Sequence, residues 1–262
     1  MASDGVSDGG WRRPEDSGPY PREWDRFEGL KPMPDGRTAT FWIRDLTPDL
    51  EEAAVAHMKQ HYVREEQMAL ATRAADDPRS AADLEGMWRE AVGGARVSLA
   101  AFSDWPHGAD RPSLAALNLL GVVRSTDPPM MMEGEKTRPM FLLMNEMLAA
   151  ADVFRRFGVR SYLVGLGLSV APPFRGQGVG LRLLQARRPL CAALRIPLSV
   201  TAFSGAQSQK QARRAGFQVL ETRRYADFAL EDGQRPFKDA TWTHMEIQAI
   251  FYGPRDDEEQ HS

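Results

Sequence analysis

The sequence predicts a domain of the α+β (mixed α/β) class, a central sheet flanked by helices. Two observations carry that prediction. Strand-like and helix-like stretches alternate along most of the chain and give way to consecutive strands near its end, an order that calls for one mixed sheet covered by helices. The second is a strand, a glycine turn and a helix in direct succession over 163–184, Leu163-Val-Gly-Leu-Gly-Leu-Ser-Val-Ala-Pro-Pro-Phe-Arg-Gly-Gln-Gly-Val-Gly-Leu-Arg-Leu-Leu184. With 262 residues, 42% of them hydrophobic, the chain can build a substantial core.

Each element has its own local signal. Residues 1–36 are rich in Gly, Pro, Asp and Arg and poor in aliphatics, so they read as a disordered leader, with Trp11, Tyr20, Trp24 and Phe27 as rings able to dock onto the domain. The domain is expected over 37–254, and the acidic run Asp256-Asp-Glu-Glu-Gln260 marks a solvated tail over 255–262. Thr40 to Arg44 reads as the first strand. Pro48 then opens a helix in which Leu50, Ala54, Met58 and Tyr62 recur at helical spacing. A second helix covers Ala81 to Ala91. Strands follow at Arg96 to Phe102 and Leu117 to Val123, on either side of the Pro/Gly/Asp loop from Asp104 to Pro112. Pro128-Pro129 interrupts the chain, and Met130-Met-Met132 beside it is an apolar loop with adaptable side chains.

Phe141 to Phe157 is expected as one long helix with Phe141, Met144, Leu148, Ala151 and Phe154 inward. Beyond the glycine turn the pattern gives a helix from Gly178, a strand from Leu198 to Ala202 and a helix ending at Gly216. A strand from Gln218 to Phe228 and a last strand near Thr241 to Phe251 complete the order. Pro189 lies inside the helix after the turn, where its missing N–H is expected to kink or end it.

The glycine turn is the most informative feature for function. Pro172 and Pro173 end the strand, and Gly176, Gly178 and Gly180 strip side chains from the turn. Bare N–H groups are left at a helix N-terminus, at the positive end of its dipole, which suits a phosphate. A dinucleotide turn, G-x-G-x-x-G, would need a glycine where Leu181 stands, and a P-loop would end in Gly-Lys-Ser/Thr; neither fits. An ordinary glycine-rich loop with no ligand is the competing reading. Charge favours an anion. From Arg155 to Arg224 thirteen Lys and Arg face one acid, Glu221, in a chain whose net charge is −3.

Arg175, Gly178 and Gly180 spell Arg-x-x-Gly-x-Gly, which resembles the pyrophosphate-binding turn of the GNAT family of acetyl-coenzyme A-dependent N-acetyltransferases. That resemblance implies coenzyme A binding by Arg175, Gly176, Gln177, Gly178, Val179 and Gly180, with the strand residues Leu168, Ser169 and Val170 pairing with the pantetheine arm. It also implies the GNAT fold, a mixed, mostly antiparallel sheet. A nucleic-acid face is the rival use of the positive field, disfavoured because the arginines are not interleaved with aromatics and the chain is not basic overall.

Three longer stretches narrow the resemblance. Phe203-Ser-Gly-Ala-Gln-Ser-Gln-Lys-Gln-Ala-Arg-Arg-Ala-Gly-Phe217, Tyr225-Ala-Asp-Phe228 and His244-Met-Glu-Ile-Gln248 look like the arylalkylamine N-acetyltransferases of the insect, dopamine-acetylating type. The likeness runs from about Thr38 to Phe251. It implies that Glu66, in Arg64-Glu-Glu-Gln67, is the catalytic glutamate, with Gln67 where the family has proline. It also implies that Ser204 and Ser208 are the active-site serines. An alkylamine is mostly protonated near neutrality, so attack on a thioester needs a base. Against these roles stand plainer ones: Glu66 as a solvated acid at a helix end, and Ser204 as the cap of a Ser204-Gly-Ala-Gln207 capping box. Many GNATs place a tyrosine four residues before the Gly-Phe pair; here Ala212 stands there, leaving the thiolate to a serine or water.

The expected reaction is acetyl transfer from acetyl-coenzyme A to a small-molecule primary amine, an arylalkylamine above all. The alternatives are another amine (a polyamine, an aminoglycoside or a protein N-terminus), or a coenzyme A-binding regulator without turnover. No metal is expected, since His57 and His61, four apart, lack a third ligand. Cys191, the single cysteine, excludes an internal disulfide and reads as buried filler. The start lacks a signal-peptide pattern and no uncharged run is long enough to span a bilayer, so a cytoplasmic, monomeric protein with no nucleic-acid or membrane partner is expected.

Overall fold

The structure, a computed structural model, describes residues 10–253. Its elements are β1 (Glu23–Pro32), β2 (Thr38–Asp45), α1 (Glu51–His57) continued by a wider turn over Met58–Tyr62, α2 (Gln67–Thr72), α3 (Pro78–Gly93), β3 (Leu99–Ser103) and β4 (Ser113–Arg124). There follow α4 (Arg138–Ala151), α5 (Val153–Phe157), β5 (Ser161–Val170), α6 (Val179–Leu194), β6 (Leu198–Phe203), α7 (Ala206–Arg214), β7 (Gln218–Arg224) and β8 (His244–Phe251). The eight strands form one sheet in the order β1-β2-β3-β4-β5-β6-β8-β7. Every neighbour pair is antiparallel except β5 with β6.

Alternation along the strands builds two cores. In β2 and β3, Phe41, Ile43, Leu99 and Ala101 face α6, meeting Leu183, Ala186, Leu190 and Leu194, while Trp42, Ala100 and Phe102 face the layer of α1, α3 and α4. Helix α3 is fixed by its own first turn. Pro78 stands where a missing N–H costs nothing, and the Ser80 N–H donates to the Asp77 carboxylate at 2.8 Å.

Four expectations are corrected. The leader of 1–36 contains an edge strand: β1 pairs with β2, Phe27 stacks on Phe41 with ring centroids 5.4 Å apart, and Trp24 donates to the buried Asp45 carboxylate at 2.8 Å. Arg13 adds an ion pair to Asp45 at 2.9 Å. Aromatic rings and one paired carboxylate supply the burial that the missing aliphatics do not. The long helix breaks at Asp152, whose left-handed φ of 45° separates α4 from α5. Pro189 does not end its helix. Helix α6 runs on to Leu194, since one lost backbone bond is outweighed by the buried stripe Leu183, Ala186, Leu190 and Leu194. The strand expected to reach Phe228 stops at Arg224, where Tyr225–Asp227 turn. The acidic run at 256–260 and residues 1–9 lie outside the described residues.

Candidate active site

The sheet opens where the glycine turn begins. Strands β5 and β6 are joined only at Leu163↔Ser199 and Val164↔Val200. Just beyond, β5 bulges against β4, whose Leu119 and Leu120 pair with Gly167 and Gly165 and skip Leu166. From there Leu168, Ser169 and Val170 keep their β4 partners Asn118, Leu117 and Ala116 but have no partner strand on their other edge among the described residues. A cavity of about 1220 Å³ fills the opening and is lined by Leu168, Ser169 and Val170.

The strand runs through a single turn, Pro172–Phe174, into Arg175. Gly176 and Gly178 then adopt φ of 77° and 85°, left-handed values that an L side chain resists. Helix α6 starts at Val179 with Gly178 as its cap and no capping side chain, so its first N–H groups stay available. Gly176, Gly178, Val179 and Gly180 all border the cavity. A Cβ on Gly178 would stand 3.3 Å from Leu30 and one on Gly176 would stand 3.2 Å from Lys31 Nζ, so the cradle depends on bare glycine. A pyrophosphate suits such a cradle.

Two of the residues assigned to the turn also make bonds within the protein. The buried Gln177 side chain points away from the cavity, accepting from the Lys31 N–H at 2.9 Å and donating to its carbonyl at 3.0 Å. It therefore pins β1 to the turn and leaves only its backbone for a ligand. Arg175 donates to the Val170 carbonyl at 3.0 Å and pairs with Glu65 at 2.8 Å, closing the turn against the loop that carries Glu66. The positive field is also partly answered from elsewhere in the chain: Arg182 pairs with Asp25, Arg195 with Asp16, Arg213 with Glu246 and Arg223 with Glu146. Lys31, in the stretch read as a leader, is the cation that sequence reasoning missed.

At the other end of the cavity, Glu66 is a buried acid, 7% exposed, and not a solvated one. It caps α2, its Oε2 accepting from the Ala69 N–H at 2.6 Å. Among the described residues its Oε1 has no partner at hydrogen-bonding geometry. Burial pushes its pKa up, opposed by the Ser204 hydroxyl and the N–H groups of Ala69, Met68 and Gln67. Gln67 takes the first helical position, where the family's proline also fits, and accepts from the Thr241 hydroxyl at 2.5 Å.

The serine pair divides differently from the capping-box expectation. Helix α7 begins at Ala206 with Gly205 as its cap and no side-chain capping bond, so Ser204 lies one residue too early to cap it. Its hydroxyl instead favours the charged form of Glu66. Ser208 has the local duty: its hydroxyl donates to the Gly205 carbonyl at 2.8 Å. Both serines border the cavity.

Two tyrosines join this group. Tyr225 donates to the Ser204 carbonyl at 2.8 Å and fixes that loop. Tyr62 borders the cavity beside the bulge, its ring carbon Cζ 3.5 Å from where a Cβ on Gly167 would stand. Burial first, then the nearby Glu66 carboxylate, raises both phenol pKa values, so both stay protonated near neutrality. Helical spacing marks Tyr62 as a core position because its ring does pack, edge-on to Trp88. Ala212 is fully buried beside Phe203 and Phe217.

His57 and Cys191 have structural surroundings. Burial, then His61, lowers the His57 pKa to about 4, and its Nε2 lies 3.2 Å from Ser169 Oγ. Burial pushes the Cys191 thiol up to about 12, which leaves it inert. Among the described residues no group of three or more His, Cys, Asp and Glu is arranged to hold a metal ion, and no helix is long and apolar enough to cross a membrane. Phe141, Met144, Leu148, Phe154 and Trp242 give the far part of the cavity an apolar wall, and the exposed Met130 lies at its edge.

No protein-family model matches the chain, and no curated protein matches it. Solved structures do. The presumptive arylalkylamine N-acetyltransferase 7 of the yellow fever mosquito Aedes aegypti is 28% identical, with a TM-score of 0.82 over 93% of this chain and 100% of that one. Arylalkylamine N-acetyltransferase 2 of Aedes aegypti is 19% identical over 81% of this chain and 99% of that one, with a TM-score of 0.70. The polyamine N-acetyltransferase of Drosophila melanogaster is 20% identical over 80% and 99%, with a TM-score of 0.66. The last two speak to the fold alone. The splayed strands, the bare glycine turn and these likenesses together give the chain the fold of the GNAT N-acetyltransferases, with a resemblance to the insect arylalkylamine type.

Proposed function

We propose that the protein transfers acetyl from acetyl-coenzyme A to the primary amine of a small molecule, an arylalkylamine first among them. The observation that carries this reading is one cavity with two chemically different ends: an uncapped glycine turn beside a strand edge that has no partner strand among the described residues, and a buried carboxylate beside Ser204. Residues 175–180 hold the pyrophosphate through backbone N–H groups, with the Lys31 ammonium beside them, and 168–170 pair with the pantetheine arm. The apolar wall of Phe141, Met144, Leu148, Phe154 and Trp242 suits an aromatic ring over a polyamine chain.

Glu66 is the base. A carboxylate whose pKa burial has raised accepts a proton from an ammonium more readily than an ordinary one, directly or through a water. Ser204 tunes that carboxylate, and Ser208 offers its remaining lone pairs to the amine. The free amine attacks the thioester carbonyl directly, with no covalent enzyme species. A hydroxyl held protonated, Tyr62 or Ser204, is the source for the proton that the departing sulfur takes up. These groups come from one chain, so a monomer suffices. The single buried thiol suits a reducing, cytoplasmic setting.

The test is release of free thiol from acetyl-coenzyme A over a panel of arylalkylamines, polyamines, an aminoglycoside and an N-terminal peptide. Turnover highest with arylalkylamines is expected. Coenzyme binding without turnover on any amine would leave a regulator.

A further inference from the structure

The floor of the cavity, where β5 and β6 part, carries a buried positive charge with no acid beside it among the described residues. Arg187 projects from α6 and is 1% exposed. Its Nε donates to Asn118 Oδ1 at 3.0 Å, and its Nη1 donates to the hydroxyls of Ser199 at 3.2 Å and Thr201 at 2.8 Å. All three partners are neutral. The titratable groups it feels are Tyr252 and Cys191, and burial raises both of their pKa values, so both stay uncharged near neutrality. Burial without a counter-ion lowers the Arg187 pKa to about 10. A buried guanidinium is ordinarily answered by a carboxylate or phosphate, because desolvating it alone is costly.

Nη2 has no hydrogen-bond partner among the described residues, and Arg187 borders the cavity. It stands 2.9 Å from where a Cβ on Gly165 would be, and Thr201 Oγ1 stands 2.5 Å from the same point. Glycine at 165 is therefore what leaves the guanidinium room at the apex. The apex follows the last paired residues, Val164 and Val200. A thioester arm that enters from the turn along 168–170 runs toward this point, so the end of its acyl group meets Arg187.

We propose that Arg187 is the specificity-determining floor of the acyl pocket and selects acyl groups that end in a carboxylate, such as malonyl, over neutral groups of the same length. The inference rests on the coenzyme A reading of the glycine turn. The chemistry is that of acetyl transfer. The amine nitrogen bonds to the thioester carbonyl carbon and the C–S bond breaks. Sulfur leaves as thiolate and takes up a proton, the amine gives one up to Glu66, and the distal carboxylate is unchanged against the guanidinium. Acetyl, being shorter, is still accepted and leaves Nη2 to water.

The test compares malonyl- with butyryl-coenzyme A, near-isosteres that differ in the terminal charge, using the same amine and acetyl-coenzyme A as reference. The parent enzyme is expected to favour malonyl by about tenfold or more in kcat/KM, since a buried donor left unpaired discriminates strongly. Arg187→Met should erase that ratio while acetyl transfer persists, and Arg187→Lys should keep part of it. Parent kcat/KM for butyryl equal to or above that for malonyl overturns the proposal, and this needs no variant to fold. Free malonate that competes with acetyl-coenzyme A as strongly as malonyl-coenzyme A does would assign Nη2 to a free anion and also overturn it. Failure of the coenzyme reading looks different: coenzyme A itself would not raise the melting temperature, and both inferences would fall.

Discussion

The two ends of the cavity are built by opposite means. The coenzyme end is one continuous stretch, 168–180, that offers backbone and gains from having few side chains. The acceptor end is assembled from side chains far apart in the chain: Glu66 before α2, Ser204 before α7, Tyr225 after β7 and Thr241 before β8. Peptide groups held by glycine have one geometry whatever the neighbouring side chains do. A constellation of buried side chains is tuned by each of its members. The first end should fail only when something fills it, and the second should shift by degrees.

The largest effect is expected where the cradle is filled. Gly178→Glu places a side chain on a left-handed residue and a negative charge at the N-terminus of α6. In the parent, acetyl-coenzyme A at about a hundred times its Kd stabilises the fold by about 2.7 kcal/mol, seen as a rise in melting temperature. The variant should show no rise. A parental shift would move the coenzyme site away from the turn.

At the acceptor end, Glu66→Gln should lower kcat by about 10²- to 10⁴-fold near neutrality with coenzyme binding unchanged. Raising the pH from 7 to 10 should narrow the gap, because more amine is free without a base; a constant ratio would make Glu66 a positioning residue. The same variant has a stability signature. Burial raises the folded pKa of Glu66 above its ordinary value of 4.5, so its contribution is fully present below that value and is lost as pH rises through the folded pKa. The amide that replaces the carboxyl cannot ionise and still offers an acceptor to the Ala69 N–H. The variant should therefore melt above the parent at pH 8, with the difference shrinking toward pH 5.

The contrast also explains what the sequence made legible. The turn is readable because its function lies in consecutive residues: two prolines, three alternating glycines and a helix start. Strand alternation and helical spacing likewise mark most of the sheet. β1 is not readable, because its stability comes from Trp24, Phe27 and Arg13 meeting Asp45 and Phe41, partners that no local window contains. Glu66 and the serines come from family resemblance. That Ser204 serves Glu66 instead of α7 depends on Gly205 being the cap, a one-residue shift that the motif Ser-x-x-Gln hides. Gln177 falls within the turn motif, yet its amide is spent on Lys31.

A finer test of the acceptor end is Ser204→Ala. The Ser204 hydroxyl favours the charged carboxylate, so its loss should raise the Glu66 pKa further and move the acidic limb of the kcat/KM profile to higher pH, with melting nearly unchanged because no cap is lost. Ser208→Ala removes the bond to the Gly205 carbonyl and should cost roughly 1 kcal/mol of stability without moving that limb. An unmoved limb in Ser204→Ala would detach Ser204 from the base.

The smallest expected effect joins the two descriptions, because Lys31 is a side chain at the backbone-built end. Its main chain is held by Gln177 through two hydrogen bonds, and its Nζ lies 3.2 Å from where a Cβ on Gly176 would stand. The group is exposed, so solvent and salt screen it, and an exposed ion pair is worth about 1 kcal/mol or less. Lys31→Ala should weaken acetyl-coenzyme A binding by about three- to fivefold at low ionic strength, with kcat unchanged. The loss should fade at about 0.5 M salt, where the Debye length falls to a few ångströms. Gln177→Ala should produce a loss of similar size through a different cause, releasing the strand that carries Lys31, and the two changes together should not add. Full additivity would mean that Gln177 supports the glycine turn itself, and parental affinity in Lys31→Ala would leave the coenzyme end dependent on backbone alone.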